Sequence, residues 1–275
     1  MSSSPPDFSA NIERFTGFAD HYDRFRPSPP AVLADLLGQL ARLGSAKPAR
    51  VVDIGCGTGL STRYWAGRAT EIIGVEPTDA MRTQAESHGG EGIVYRKGFS
   101  HATGLPDACA DIVTCSQALH WMDPLPTFRE VARILKPGGV FAAFDYDWPP
   151  VTTSWVADKT YTETVKAVGR LEGPHGINDG LHRWDKAGHL GRMQESGAFA
   201  WVRECTVQHT DEGNADRLVG LLLSQGSVQS LRKKRVAEID RLAGHLHEVA
   251  IRELGSGLQR WFWSSRIRIG IRASE

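Results

Sequence analysis

The sequence predicts an α/β fold: a doubly wound, Rossmann-like, mostly parallel seven-stranded sheet with helical lid insertions. Two observations favour it. Short apolar runs alternate with amphipathic stretches between residues 50 and 146, as in a parallel sheet covered by helices. The length of 275 residues, 41% of them hydrophobic, allows one sizeable core and a smaller subdomain.

The first five strands and their helices follow in order along the chain. The apolar runs predict strands near 50–55, 71–76, 92–98, 110–116 and 139–146. Helical spacing of apolar residues predicts helices near 30–43, 59–67, 79–87 and 125–135. We expect Lys136-Pro137-Gly138-Gly139 to end the last of these helices, because proline and paired glycines prevent its continuation.

The pattern is less regular after Pro149-Pro150. It predicts helices near 152–170, 184–196, 214–224 and 233–254, and strands near 199–209 and 260–271. A doubly wound sheet leaves a crevice at the carboxyl ends of its strands, and insertions there become a lid. We therefore expect an N-terminal lid segment (1–30), a cofactor-binding core (31–147), and a region of lid and acceptor-binding insertions with the closing strands (148–275). The three segments expected to supply the lid are 1–30, 148–183 and 212–258.

Charge and composition exclude several classes of partner. The 32 Lys and Arg residues balance 32 Asp and Glu residues, so no overall positive field attracts nucleic acid or an anionic membrane. Residues 1–8 lack the features of a signal peptide, and no apolar run is long enough to span a bilayer. Without C-x-x-C spacing, the four cysteines predict no metal site and no disulfide framework. We expect a cytoplasmic protein with a small-molecule partner; its oligomeric state stays open.

A glycine-rich turn follows the first predicted strand. Residues 51–60 read Val-Val-Asp-Ile-Gly-Cys-Gly-Thr-Gly-Leu, an apolar strand that enters a Gly-x-Gly-x-Gly turn and opens a helix. Glycines there permit a tight turn and close approach of a ligand to the backbone. The dinucleotide fingerprint needs its third glycine at position 60, which is Leu60. Asp53 would repel a pyrophosphate but would accept hydrogen bonds from an ammonium group, which S-adenosylmethionine (SAM) carries.

An acidic residue at the end of the second strand agrees with this interpretation. Glu76 follows the glycine turn by about 20 residues, where an acidic side chain typically accepts hydrogen bonds from ribose hydroxyls. The turn, Asp53, Glu76 and the alternating strands together favour a nucleoside cofactor with a cationic tail.

These residues resemble the class I SAM-dependent methyltransferases, within them the type 11 group, and more narrowly the trans-aconitate methyltransferases. The resemblance extends over about residues 15–145, and its motifs are 51–60, 74–81, 102–107 with 117–121, and 135–139. It implies SAM as the cofactor and methyl transfer as the activity.

The resemblance also implies roles for individual residues. It gives Asp53, Gly55, Gly57 and Gly59 to the methionine part of SAM, Glu76 to the ribose, Pro77 and Met81 to the adenine face, and Ser100 or His101 to the adenine edge. His101 departs from the family, whose members often carry an acidic residue nearby. Gln117 and His120 match positions beside the sulfonium and the acceptor, and Tyr22 and Arg26 match residues that close over the methionine tail.

His120 is the candidate general base, with Tyr22 orienting the reacting groups. A neutral imidazole takes up a proton near physiological pH, and His120 comes just after the fourth strand, facing the expected crevice. The ordinary alternative is a capping or packing residue before Trp121. Asp145, at the end of the fifth strand, is a turn or cap residue or a contact for the acceptor. The basic run 232–235 opens a predicted helix and is explained by a solvated face.

Three functions remain open at this stage. Six of the eight tryptophans lie after residue 147, and their rigid apolar rings favour an aromatic or nitrogen-heterocyclic acceptor, such as an indole, methylated on carbon or nitrogen in specialised metabolism. The second function is carboxylate O-methylation of the trans-aconitate type, which would need Arg or Tyr clamps such as Arg26 or Tyr22. The third is a SAM-fold binding protein without catalytic activity.

Overall fold

The computed structural model describes residues 8–14 and 23–274 of the chain. In chain order, its elements are α1 (Ser9–Arg14), α2 (Leu33–Leu40), β1 (Arg50–Ile54), α3 (Leu60–Tyr64), β2 (Glu71–Val75), α4 (Asp79–Ser87), β3 (Ile93–Arg96), β4 (Ala110–Ser116), a 3-10 helix (Leu119–Trp121), α5 (Pro124–Ile134), β5 (Leu135–Tyr146), α6 (Trp155–Glu172), α7 (His189–Glu195), β6 (Trp201–Gly213), α8 (Ala215–Leu223), α9 (Gly226–Lys233), α10 (Ala237–Leu254) and β7 (Gln259–Ile271).

The strands form one seven-stranded sheet in the order β3-β2-β1-β4-β5-β7-β6. Strands β1 to β5 pair in parallel, and β7 runs antiparallel to β5. The order reverses between β1 and β4, which is the switch point at which such sheets bind ligands. The predicted doubly wound, mostly parallel fold is therefore confirmed.

Two apolar layers cover the parallel part of the sheet. Successive residues of a strand point to opposite faces, and neighbours such as Val51 and Val52 or Ile112 and Val113 belong to different core clusters. One cluster includes Leu33 and Leu37 of α2, and the other includes Phe128 of α5. Because both faces are buried, these strands have the nearly continuous apolar sequences from which they were predicted.

The chain divides into two compact units. The first, called the sheet unit here, comprises 28–146, 182–207 and 265–275; the second, the helical unit, comprises 1–27, 147–181 and 208–264. The predicted division at residue 147 groups 182–207 with the C-terminal insertions, whereas the structure groups them with the sheet. The lid role of 1–30, 148–183 and 212–258 stays a prediction.

The helical unit is built from α6, α8, α9 and α10. Helix α10 packs against α6 and α8. Two of these helices begin with a side-chain cap, since Ser154 accepts a hydrogen bond from the Ala157 amide and Asn214 from the Arg217 amide. Such caps satisfy amides that have no partner within the helix. Among the described residues, no helix is long and apolar enough to cross a bilayer.

Helix α5 ends at Ile134, just before Lys136–Gly139, as expected. The next strand begins earlier than predicted, because these four residues already belong to β5. The register passes from Ala110 opposite Leu135 to Ile112 opposite Val140, so the four residues form an irregularity opposite Asp111, with Gly138 at φ +74°. A proline and two glycines suit such a bulge as well as a turn.

The basic run 232–235 was predicted to open a helix, and this prediction was wrong. Arg232 and Lys233 close α9, and the next helix begins only at Ala237 because Arg235 is left-handed, with φ +57°. All four basic residues are exposed, as expected for a solvated face.

His189, at the start of α7, is an uncharged histidine in the core of the sheet unit. Its side chain has no exposed surface, and neither ring nitrogen has a hydrogen-bond partner among the described residues. Burial, together with the positive charges of Arg192 and Arg268, lowers its pKa to about 4. A protonated imidazole is therefore strongly disfavoured in the folded state.

Replacing His189 by phenylalanine should make the free energy of unfolding fall less steeply as the pH is lowered. As the pH falls from about 6.5 to about 4, the unfolded chain takes up a proton on this histidine before the folded chain does, so the free energy of unfolding falls. The full contribution is about 3.5 kcal/mol at about 1.4 kcal/mol per pKa unit, and about 2 kcal/mol of it is lost between pH 7 and pH 5. Urea unfolding near neutral pH and near pH 5 measures it. The exposed His88, changed to glutamine, should follow the wild type; an unchanged slope in His189→Phe would contradict the assignment.

Candidate functional site

The glycine turn lies between β1 and α3, at the switch point of the sheet. Gly55, Gly57 and Gly59 all have positive φ, at +63°, +55° and +81°. A Cβ on Gly55 would collide with Ala118 and Met122, and one on Gly59 with Tyr95. A Cβ on Gly57 would meet no described atom within 4 Å. The outer glycines therefore permit packing, while the middle one presents backbone to open space, as a ligand cradle requires.

Asp53 is enclosed in β1 and holds the elements around the turn together. Its Oδ2 accepts hydrogen bonds from the hydroxyls of Ser61 and Thr62, both at 2.7 Å, and its Oδ1 accepts one from Thr114 at 2.8 Å. Burial raises the pKa of this carboxyl group, and the three hydroxyls oppose that rise. These three hydroxyl partners were not predicted, although Ser61 and Thr62 stand directly after the turn. The predicted bond to an ammonium group stays a prediction.

Glu76 follows β2 and reaches back to the turn. Its Oε2 accepts a hydrogen bond from the Gly57 amide at 2.9 Å, and its Oε1 accepts one from the Thr78 amide at 3.0 Å. The residue is 7% exposed, and burial raises the pKa of its carboxyl group against these hydrogen bonds. Each oxygen keeps a lone pair beyond its backbone partner, so this geometry is compatible with the predicted ribose contact.

The residues expected near the adenine follow β2 and β3. Pro77 is half-buried before α4, and Met81 is buried in the first turn of that helix. The Ser100 hydroxyl lies 2.7 Å from that of Thr127, and both are buried. His101 is exposed and stacks on Phe99, with ring centroids 5.4 Å apart. Of the two candidates for the adenine edge, His101 thus keeps its side chain available to a ligand.

Gln117 and His120 follow β4 and lie next to the glycine turn. Gln117 is left-handed, with φ +52°, and its amide donates to the Phe144 carbonyl at 2.9 Å. His120 is 6% exposed in the 3-10 helix, with its ring centroid 4.8 Å from that of Trp121. Its carbonyl accepts a hydrogen bond from the Trp184 amide at 2.9 Å. The sheet unit therefore brings both predicted residues to the edge where the glycine turn lies.

A buried ion network lies beside Gln117 and was not predicted. The Asp145 carboxylate contacts Lys186 Nζ at 2.6 Å and Arg268 Nη1 at 2.9 Å. Lys186 Nζ also donates to Gln117 Oε1 at 2.9 Å, and Arg268 contacts Glu204 at 3.0 Å. Asp145 is thus neither a turn nor a cap residue. No local pattern marks Lys186, because it stands in an irregular polar segment.

The remaining two predicted residues belong to the N-terminal segment. Tyr22 lies outside the described residues. Arg26 belongs to the helical unit, where its guanidinium donates to the Ser224 hydroxyl at 2.8 Å and lies 4.8 Å from the centre of the Trp148 ring. Trp148 in turn stacks on Tyr161 at 6.2 Å between centroids and meets the edge of Trp263 at 5.8 Å. Two of the six late tryptophans, Trp148 and Trp263, therefore pack against each other within this unit.

Within the described residues, no group of three or more His, Cys, Asp or Glu side chains is arranged to hold a metal ion.

Comparison with known sequences identifies a domain within the sheet unit. Residues 52–143 match the family Methyltransf_11, described as a methyltransferase domain. A Saccharomyces cerevisiae protein, CRG1, named as a probable S-adenosylmethionine-dependent methyltransferase, is 32% identical over 47% of this chain and 45% of its own length. A malonyl-[acyl-carrier protein] O-methyltransferase of Pectobacterium atrosepticum is 31% identical over 62% of each chain. The chain spans about half the length of the first curated relatives that it matches.

Solved structures share the fold at lower identity. A candidate type II methyltransferase from Anaeromyxobacter dehalogenans superposes with a TM-score of 0.64 and 23% identity, over 91% of this chain and 100% of its own. The cyclase SpnF superposes with a TM-score of 0.56 and 15% identity, over the whole of both chains. At these identities the likeness shows the fold alone.

Replacing Glu76 by glutamine should weaken binding of S-adenosylhomocysteine, the demethylated form of the expected cofactor. A glutamine offers one acceptor oxygen, so either Gly57 or Thr78 loses its partner, and hydrogen bonds to charged groups contribute about 1.5–3 kcal/mol each. We expect a Kd raised about 10- to 100-fold by calorimetry.

The matched control is Glu71→Gln. Glu71 begins the same strand, at its other end, and pairs with Arg50 at 2.7 Å while half-exposed. Its Kd should stay within about twofold of the wild type, because exposed pairs contribute little. Equal affinity in Glu76→Gln and the wild type would remove Glu76 from the cofactor site.

Proposed function

We propose that the chain transfers a methyl group from SAM to a small-molecule acceptor, since residues 52–143 match a methyltransferase-domain family. The observation that carries this proposal is the Gly57 backbone, which faces open space while its amide is held by the buried Glu76 carboxylate. An open glycine backbone with an adjacent acidic acceptor suits a nucleoside ligand at the switch point of a doubly wound sheet.

Different residues around the turn would contact different parts of the cofactor. Gly55, Gly57 and Gly59 would border its methionine part and Glu76 its ribose, while Asp53 keeps α3 and β4 in place through three hydroxyls. Pro77 and Met81, with Ser100 or His101, would lie at the adenine, and Arg26 and Tyr22 would close over the tail. When bound, SAM supplies an electrophilic methyl group on a cationic sulfur. The chain then contributes mainly by orientation and by exclusion of water.

The favoured acceptor is an aromatic or nitrogen-heterocyclic metabolite, with His120 as the proton acceptor. His120 is buried beside Trp121 at the same sheet edge as the glycine turn, which supports a role next to a planar ring. Removal of an N–H or O–H proton raises the electron density of such a ring, so one base suffices for methylation of carbon or nitrogen. Tyr22 would orient the reacting groups.

A carboxylate acceptor is the second candidate. The malonyl-[acyl-carrier protein] O-methyltransferase relative and the cations of the segment 182–187 favour it. Lys186 contacts Gln117, and the Arg183 guanidinium lies 5.4 Å from the centre of the Trp121 ring. A carboxylate is already ionised and needs cationic clamps in place of a base.

The test of this function has a binding arm and a turnover arm. S-adenosylhomocysteine should raise the melting temperature, because a ligand specific to the native state stabilises it by mass action, and NAD should not. SAM is then incubated with a panel that contains an indole, an indole carboxylate and trans-aconitate, and methylated product is detected by its mass shift. Binding without turnover on any acceptor would favour a non-catalytic SAM-fold protein, and absence of binding would overturn the proposal.

Replacing His120 by alanine should lower turnover by about 10²- to 10⁴-fold on a neutral acceptor, the usual range for general acid–base assistance. S-adenosylhomocysteine affinity should stay nearly unchanged, since a base that acts on the acceptor does not hold the cofactor. The wild-type rate should fall as the pH drops through the range in which an imidazole is protonated, and His120→Ala should lose this dependence. Near-normal turnover in His120→Ala would eliminate the base and favour the carboxylate acceptor.

A further inference from the structure

Two nearly identical lysine–aspartate pairs lie at opposite ends of the parallel strands, one at the amino ends and one at the carboxyl ends. Lys186 Nζ and Asp145 Oδ1 are 2.6 Å apart, with side chains 31% and 11% exposed. Lys136 Nζ and Asp111 Oδ1 are also 2.6 Å apart, with side chains 39% and 11% exposed. Asp111 stands near the start of β4, whereas Asp145 stands near the end of β5. Only the carboxyl ends form the edge at which such sheets bind ligands.

Lys186 makes a contact that has no counterpart in the other pair. Its ammonium group donates to Gln117 Oε1 at 2.9 Å as well as to Asp145. An ammonium group carries donors only, so the oxygen of the Gln117 amide must face it. On the other side, Gln117 Nε2 donates to the Tyr146 carbonyl at 3.5 Å, which accepts only. The orientation of this amide is therefore fixed by the chemistry of both its neighbours.

The fixed orientation leaves a donor available at the sheet edge. The second N–H of the Gln117 amide has no partner in the described part of the chain, and the residue is half-buried. A partly positive N–H repels a sulfonium but binds a lone pair on oxygen or nitrogen. The next residue, Ala118, lies so close to Gly55 that a Cβ there would stand 2.9 Å away. Gln117 therefore immediately precedes a residue that packs against the glycine turn.

We propose that Lys186 is a positioning residue that sets the Gln117 amide to donate a hydrogen bond to a carboxylate, carbonyl or ring-nitrogen lone pair of the acceptor. The inference rests on the proposed function and adds a specificity requirement to it. An acceptor must carry such a lone pair in addition to the atom that receives the methyl group. Arg268 supports the arrangement from behind, because it binds the second oxygen of Asp145 and is 2% exposed.

The positioning step is tested without any acceptor. In protein labelled with 15N-glutamine and saturated with S-adenosylhomocysteine, the Gln117 side-chain signals are those absent from Gln117→Met. They should be separated from the other glutamine signals in the wild type and in Lys136→Met, and should move to the ordinary range in Lys186→Met. Unchanged chemical shifts in Lys186→Met would overturn the role of Lys186 in positioning the Gln117 amide.

Kinetics with the acceptor found by the mass-shift screen test the specificity step. Lys186→Met and Gln117→Met should each raise the acceptor KM about 10-fold or more, the equivalent of about 1.4 kcal/mol, and the double variant should add little further. Lys186→Arg should restore most of the loss. The Kd for S-adenosylhomocysteine should stay within about twofold in Lys186→Met and Lys186→Arg.

Three outcomes separate this inference from the proposed function. Lys136→Met controls for loss of an ion pair, so its melting temperature should fall as in Lys186→Met while its KM stays at the wild-type value. Equal KM changes in the two lysine variants, or a cofactor Kd that moves with the acceptor KM, would overturn the role of Lys186. A wild type that binds no S-adenosylhomocysteine would overturn the proposed function instead.

Discussion

The buried carboxylate of Asp53 is the interaction on which the candidate site depends. A carboxylate removed from water costs several kcal/mol unless it is hydrogen-bonded, and Asp53 has no exposed surface. Its donors come from both sides of the glycine turn: Ser61 and Thr62 from α3, and Thr114 from β4. The same bonds that make the burial of this charge tolerable therefore fix the helix after the turn against the two strands before and beside it.

Parallel register then brings the other groups of the site to the same edge. Asp53 lies opposite Gly74 in β2 and Thr114 in β4, so the three strands end together. Glu76 leaves β2 just where the turn leaves β1, and its carboxylate meets the Gly57 amide. Two carboxylates thus act in different ways: Asp53 binds side-chain hydroxyls inside the sheet, and Glu76 binds backbone amides at its rim. Asp53 has no exposed surface, whereas Glu76 is 7% exposed.

The charged groups near the end of β5 add defined chemistry to a fold that is shared by several kinds of enzyme. Proteins with this architecture include methyltransferases and a cyclase among the structures of similar shape. The Asp145, Lys186 and Arg268 network gives the edge beside Gln117 a defined arrangement of donors. Buried polar networks rigidify the side chains that form them when every member has a partner.

The sequence alone determined the parts that depend on neighbours along the chain. The order of β1 to β5, the glycine turn, Glu76 and the positions of Gln117 and His120 follow from apolar periodicity and from residues adjacent to strand ends. The tertiary structure alone decided the contacts that join distant segments: Lys186 with Gln117, 69 residues apart, and Arg268 with Asp145, 123 apart. It also decided that Lys136–Gly139 form a bulge within β5, and that Gln117 is left-handed. Such features have no local period, since they arise only when the strands pair and bury their charges together.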